Sequence, residues 1–171
     1  SENLLAQLEK QGVKASIDFN LLRGLQPLIH ETKGNLTVAV RDKNQIVAAY
    51  PQGSHKVFGG AIDIGSTTLA LYVYDLKDGE LVFESSAMNP QIRFGEDLMS
   101  RVSYVMMNKG GDEKLTAAVR TKITEMLHEA CENLEIEWDK LLEVVLVGNP
   151  IMHHIFFGIS PVELGQAPFT L

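Results

Sequence analysis

A chain of 171 residues with 45% hydrophobic and 22% charged side chains is large enough to fold around a core and lacks the bias of a disordered or fibrous protein. Its 22 acidic against 15 basic residues give a net charge of −7, which makes nucleic acid and anionic membrane surfaces poor partners. No apolar run approaches the roughly 18 residues of a membrane-spanning helix, and SENLLAQLEK has no signal-peptide apolar centre, so a cytoplasmic setting is expected.

In chain order, Leu4, Leu5 and Leu8 recur at helical spacing up to Gly12. After Ser16 or Asp18, either of which suits an N-cap, Leu21, Leu22 and Leu25 predict a second helix that stops before Pro27. Leu36, Val38 and Val40 alternate with Thr37, Ala39 and Arg41; residues 42–44 turn, and Ile46 to Tyr50 complete a β-hairpin. Pro51 to Lys56 has no periodic apolar residue and reads as a connection. These features make residues 1–56 a small α+β unit and residues 57–171 a second one.

The second unit opens with FGGAIDIGSTTLALYVYD, residues 58–75. Its two apolar runs, with Asp63 near the end of the first, are separated by Gly65, Ser66, Thr67 and Thr68, which predicts two strands around a tight polar turn. Two readings of that turn stand. Glycine permits close backbone approach, neighbouring N–H groups and hydroxyls can meet phosphate oxygens, and a carboxylate one pleat back can hold a hydrated Mg²⁺. Alternatively, the hydroxyls only satisfy the turn's own backbone.

A turn at Lys77-Asp78-Gly79 and a third strand at 81–87 extend this to an antiparallel meander. Leu98, Val102, Val105 and Met106 predict a helix closed by Gly110-Gly111, and Leu115, Val119, Ile123, Met126, Ala130 and Leu134 a longer one. The apolar run 142–147 has the composition of a strand buried on both faces and, coming after a long helix, suggests a parallel crossover. Gly148-Asn149-Pro150 closes it, and Ile151 to Phe157 predicts a short helix ending at Gly158. The result is an α/β fold of ribonuclease H-like type, and resemblance to that type, rather than apolar spacing, implies strands ordered third, second, first, fourth. In that order Asp63 and Gly148-Asn149 share the carboxyl edge, where open α/β sheets bind ligands.

Asp97 and Arg101, four residues apart on a helix, predict a surface ion pair with a functional role as the alternative. Asn149, with His153 and His154, follows the buried strand, where its amide either orients a water or ties down a turn, and a helix N-terminus there also favours anions. Cys131, the single cysteine, sits among apolar positions as a small core residue and cannot form an internal disulfide or supply the four thiolates of an iron–sulfur cluster. Neighbouring His153 and His154 lie about 100° apart on a helix, which predicts no metal centre.

D-I-G-S-T at 63–67 resembles the first phosphate motif of the acetate and sugar kinase, heat-shock chaperone and actin superfamily. NPQIRFGEDLMSR at 89–101 and VVLVGNPIMHHIFFGISPVELGQAPF at 144–169 narrow the resemblance to the ATP-dependent reductive activators of corrinoid proteins. The resemblance implies that residues 57–171 are the first lobe of an actin-like ATPase domain, with residues 1–56 as its connecting region. It implies ATP and Mg²⁺ as cofactors, Asp63 as the catalytic and metal-holding residue, and Gly65, Ser66, Thr67, Thr68, Gly148 and Asn149 around the nucleotide. Asp97, Arg101 and His153 are secondary candidates. The activity implied is ATP-driven return of a cobalt(II) corrinoid protein, the partner, to cobalt(I), with a two-iron two-sulfur domain upstream. A second lobe beyond Leu171 is expected, which makes the chain a fragment, inactive alone unless two copies pair as a homodimer. An activator of 2-hydroxyacyl-CoA dehydratases and a non-hydrolysing actin-like binding module are the alternatives.

Overall fold

The computed structural model describes residues 2–53 and 56–166. The middle of the expected connection, at Ser54 and His55, and the end of the last motif, at 167–169, lie outside these residues, as does Leu171. The chain divides into two compact units, Ser1–Lys56 and Val57–Leu171.

In the first unit, α1 (Glu2–Lys10) is followed by the two-residue strand β1 (Ser16–Ile17), α2 (Phe19–Glu31), β2 (Leu36–Arg41) and β3 (Gln45–Pro51). The strands form one sheet in the order β1-β3-β2, with β2 and β3 antiparallel and β1 parallel to β3. Asp18 rather than Ser16 is the N-cap of α2, its side chain accepting from the Asn20 N–H at 2.9 Å, while Ser16 is spent on β1. Two residues carry no periodicity, so the sequence pattern shows no strand there. The helix does not stop at Pro27 but carries it inside and runs to Glu31. A proline costs one i→i−4 bond, and here Leu25, Leu28 and Ile29 continue the apolar stripe across it. Leu25 is 2% exposed and Leu28 and Ile29 are half-buried; burying a side chain such as Leu25 stabilises by roughly 2 kcal/mol, and the partial burial of the other two adds to it against the roughly 3 kcal/mol that an interior proline costs.

The second unit is built on β4 (Phe58–Ile64), β5 (Thr68–Asp75), β6 (Leu81–Met88) and β7 (Leu141–Gly148). Their order is β6-β5-β4-β7, with β4, β5 and β6 antiparallel and β7 parallel to β4, the order the resemblance implies. Between β6 and β7 come a 3₁₀ turn (Pro90–Phe94), α3 (Leu98–Met107) and α4 (Gly111–Asn133); α5 (Pro150–Phe157) follows β7. Gly110 turns the chain from α3 into α4 with φ of 71°, a conformation glycine adopts without strain, and Asp112 and Glu113 suit the positive start of α4.

Alternation along the strands sorts the sheet into two faces. Ile62, Ile64, Leu69, Leu71 and Val73 point inward and pack on Val119, Ile123, Met126, Leu127 and Ala130 of α4 and Met152 of α5. Each buried aliphatic here contributes roughly 1.5–3 kcal/mol. Cys131 lies at the edge of this core, and burial pushes its thiol pKa up. The opposite face carries Asp63, Tyr72, Tyr74, Val145 and Val147. It corrects one expectation: β7 is not buried on both sides, since Val145 and Val147 are 54% and 57% exposed. The apolar run hides this because its outward positions are valines, and within this unit the helices that pack on the sheet cover its other face.

Candidate functional site at the carboxyl edge of β4 and β7

Parallel pairing puts Asp63 opposite Val147 and Ile64 opposite Gly148, so both strands end at one level and their following loops emerge side by side. Asp63 is the last outward residue of β4 and is exposed. Its carboxylate has no hydrogen bond or ion pair among the described residues.

The turn after it is tight. The Gly65 N–H donates to the Thr68 carbonyl at 3.0 Å, and a Cβ at Gly65 would lie 2.6 Å from that oxygen. Space, not backbone angle, therefore demands glycine. The three carbonyls of the turn are each held by the segment that begins at Asn89. The Asn89 side-chain amide donates to the Gly65 carbonyl at 2.8 Å, Arg101 Nη2 donates to the Ser66 carbonyl, and the Asn89 backbone N–H donates to the Thr67 carbonyl at 2.8 Å. Thr67 and Thr68 are exposed, and Ser66 is half-buried. Among the described residues no acceptor takes the Ser66 or Thr67 N–H, which leaves donors that a ligand could use.

Across the edge, Gly148 approaches β4 so closely that a Cβ there would sit 3.2 Å from the Ile64 carbonyl oxygen. Asn149 is the N-cap of α5, its Oδ1 accepting from the Met152 N–H at 3.0 Å, and Pro150 occupies the first turn, where no N–H is needed. His153 lies behind Gly148, with Cδ2 3.6 Å from the position of such a Cβ. Its Nε2 is buried without a protein partner, whereas His154 Nδ1 meets the Pro150 carbonyl at 2.9 Å.

Asp97 and Arg101 do not form the surface pair their spacing suggests. Asp97 is the N-cap of α3, its Oδ1 accepting from the Ser100 N–H at 2.7 Å. Hydrogen bonds from Ser100, then Met99, and more weakly the charge of Arg101 hold its carboxyl below the usual carboxylate range. Arg101 is 0% exposed. Burial draws its pKa down, partly offset by the charge of Asp97. Besides the Ser66 carbonyl, it donates to the Gly95 carbonyl at 3.0 Å, to Gln91 Oε1 at 3.1 Å and to Met152 Sδ at 3.3 Å. An i, i+4 rule describes exposed helix faces, whereas this helix turns Arg101 into the protein. Asn89 and Gln91, fully buried with it, carry no assignment from sequence alone. Two uncharged polar residues flanking Pro90 after a strand look like a turn, and only the NPQIRFG motif pointed to them.

Chemically, one exposed carboxylate beside free N–H and hydroxyl donors suits a hydrated divalent cation shared with phosphate oxygens, the way Mg²⁺ is usually held. It does not suit a cage of protein ligands, and no group of three or more His, Cys, Asp or Glu stands together among the described residues. An iron–sulfur cluster does not fit the chain's one thiol, which is buried and held protonated. No helix among the described residues is long and apolar enough to cross a membrane.

A three-strand meander with a fourth strand parallel to its first, the two ending at one carboxyl edge, defines a ribonuclease H-like unit of the actin-like ATPase fold. The chain belongs to the RACo family: the family model of the RACo middle region matches residues 58–171, and that of the RACo linker region matches residues 1–56. The corrinoid activation enzyme RamQ of Eubacterium limosum is 32% identical over 128 residues, 74% of this chain and 22% of RamQ. A solved structure described as a reductive activator for corrinoid, iron-sulfur protein superposes with a TM-score of 0.83 at 31% identity, over 98% of this chain and 27% of that one. The chain therefore spans 22% to 27% of the length of these relatives.

Proposed function

We propose that residues 57–171 form the first lobe of an actin-like ATPase domain and that the β4–β7 edge carries the phosphate half of its ATP site. The parent protein is a soluble, cytoplasmic reductive activator that returns cobalt(II) corrinoid proteins to cobalt(I). The observation that carries this reading is the Ile64–Gly148 pairing, which sets the Asp63–Thr68 turn beside the Gly148–Asn149 turn at one sheet edge. The names of the two relatives support the corrinoid protein as partner.

In this reading Asp63 holds water molecules around Mg²⁺, and the N–H and hydroxyl groups of Ser66, Thr67 and Thr68 hold phosphate oxygens. Gly148 lets the second turn come close, and the N-terminus of α5 behind Asn149 adds positive potential. His153 closes the floor behind Gly148. Bound Mg²⁺ supplies positive charge that neutralises the phosphoryl oxygens. Residues 1–56 connect this lobe to an electron-carrying iron–sulfur domain, and the adenosine side of the site comes from a second lobe.

The test is Asp63→Ala in the intact parent protein. ATP-dependent reduction of the cobalt(II) corrinoid, followed by absorbance, should disappear while the circular dichroism spectrum and melting temperature stay close to wild type, because the side chain is exposed and unpartnered. Unchanged ATP turnover would return Asp63 to a plain strand residue.

A further inference from the structure

Among the described residues Arg101 is a cation buried with neutral acceptors only: three oxygens and a thioether sulfur. Such a burial is expensive, because neutral dipoles replace hydration less well than a carboxylate does. An exposed residue at this position would cost nothing, so the placement calls for a reason. Its contacts supply one. Nη2 holds the Ser66 carbonyl in the turn after β4, and Nη1 touches Met152 Sδ in the first turn of α5, the segment that follows β7. Met152 is itself tied to the edge, since its N–H donates to Asn149 Oδ1 at 3.0 Å.

The guanidinium is aimed by its surroundings. Nε donates to the Gly95 carbonyl, and Gly95 lies so close to α3 that a Cβ would come 2.7 Å from the Arg101 backbone nitrogen. Gln91 accepts from Nη1 while its own amide donates to the Leu115 carbonyl of α4 at 2.9 Å, which fixes the Gln91 orientation. The planar fork of arginine can hold separated acceptors at once, which a lysine ammonium cannot do.

We propose that Arg101 is a positioning residue that fixes the phosphate turn relative to the start of α5, so that the two sides of the edge keep one spacing and order together. Arg101 touches no ligand position; it acts through Ser66 and Met152. Its importance for nucleotide binding rests on the proposed function, but its role as a strut does not, and the test separates them.

In the intact parent protein without nucleotide, Arg101→Ala should speed amide hydrogen exchange at least about tenfold at Gly65 and Asn89 on one side and at Met152 and His153 on the other. Amides of β5 and of the middle of α4 should be unchanged. Arg101→Lys should loosen both sides as well, because the charge alone does not bridge them. Guanidinium ion, added far below denaturing concentrations, should restore protection in Arg101→Ala at both sides, which a generally destabilised fold would not show. ATP turnover should fall in the same variant and recover with guanidinium. Should Arg101→Ala fail to fold, Gln91→Met, which removes one acceptor of Arg101 and the donor to the Leu115 carbonyl without touching either turn, should loosen the same two sides to a smaller degree. Loosening on one side only, or none, overturns the strut. Coupled loosening in a protein that does not bind ATP would keep the strut and remove the proposed function instead.

Discussion

The Asn89 side chain donates to the Gly65 carbonyl at 2.8 Å while its Oδ1 accepts from the Gln91 N–H at 3.0 Å. One fully buried amide thus joins the turn after β4 to the 3₁₀ turn that leads into α3. Asn89→Ala removes both bonds and leaves a buried acceptor and a buried donor without partners, each worth roughly 1–3 kcal/mol. A loss of about 2–6 kcal/mol in urea unfolding is expected. Asn89→Asp, which keeps the acceptor but loses the donor to Gly65, should cost at least as much, since it also buries a charge.

Gly65 and Gly148 face similar crowding but to different degrees. An added Cβ would lie 2.6 Å from the Thr68 carbonyl at Gly65 and 3.2 Å from the Ile64 carbonyl at Gly148. The first is impossible without opening the turn; the second needs a shift of a few tenths of an ångström. Gly65→Ala should therefore cost roughly 1–3 kcal/mol, the range for forced overpacking, and Gly148→Ala less. Chemical denaturation of the two variants side by side checks the order, and a larger loss at Gly148 would contradict the geometry.

Much of this architecture is legible in the sequence because it rests on periodicity. The meander, the strand β7 and the stripe of α4 follow from apolar spacing that the core then uses, whereas the place of β7 beside β4 follows from the resemblance to a ribonuclease H-like lobe. The candidate edge follows from that strand order, which places Asp63 and Gly148 together before any distance is known. What periodicity does not show is the polar interior. Asn89, Gln91 and Arg101 have the composition of a surface turn, and only three-dimensional closure reveals that they bond to one another and to Gly65 and Ser66. Pro27 within α2 fails for a related reason: a local rule for ending helices lost to burial of Leu25 and its neighbours. The exposed outer valines of β7 fail because apolar composition cannot tell a covered face from a bare one.

Asp97 offers a pH test. Its carboxyl titrates lower in the folded protein than in the unfolded chain, chiefly through the hydrogen bonds from Ser100. A depressed folded value means the unfolded chain takes up the proton first. The stabilisation is thus fully present above the unfolded value of about 3.9 and is lost as pH falls through the lower folded value. Asn caps helices about as well as Asp but does not titrate. Asp97→Asn should accordingly resemble wild type at neutral pH and lose less stability than wild type in acid. Parallel stability curves down to strongly acidic pH would show that Asp97 makes no such contribution.

Asn149 allows the structural and functional roles of the edge to be pulled apart. As N-cap of α5 it needs only an oxygen at Oδ1 to accept from the Met152 N–H. Asn149→Ala removes that acceptor and should cost about 1 kcal/mol, the usual worth of a cap. Asn149→Asp keeps the acceptor and puts a negative charge at the positive end of the helix, so stability should hold or rise by a few tenths of a kcal/mol. The same charge would stand beside the phosphates of the proposed site, and at a partly screened protein edge one added anion facing a polyphosphate is worth at least about 1.4 kcal/mol, or tenfold in affinity. The expected pattern in the intact parent is a fold as stable as wild type that binds Mg·ATP at least about tenfold more weakly, with the deficit shrinking as salt is raised. Titration calorimetry at two ionic strengths, alongside thermal melting, reads both quantities. Wild-type affinity in Asn149→Asp would mean that the start of α5 does not face the nucleotide, leaving the turn after Asp63 to hold the phosphates without it.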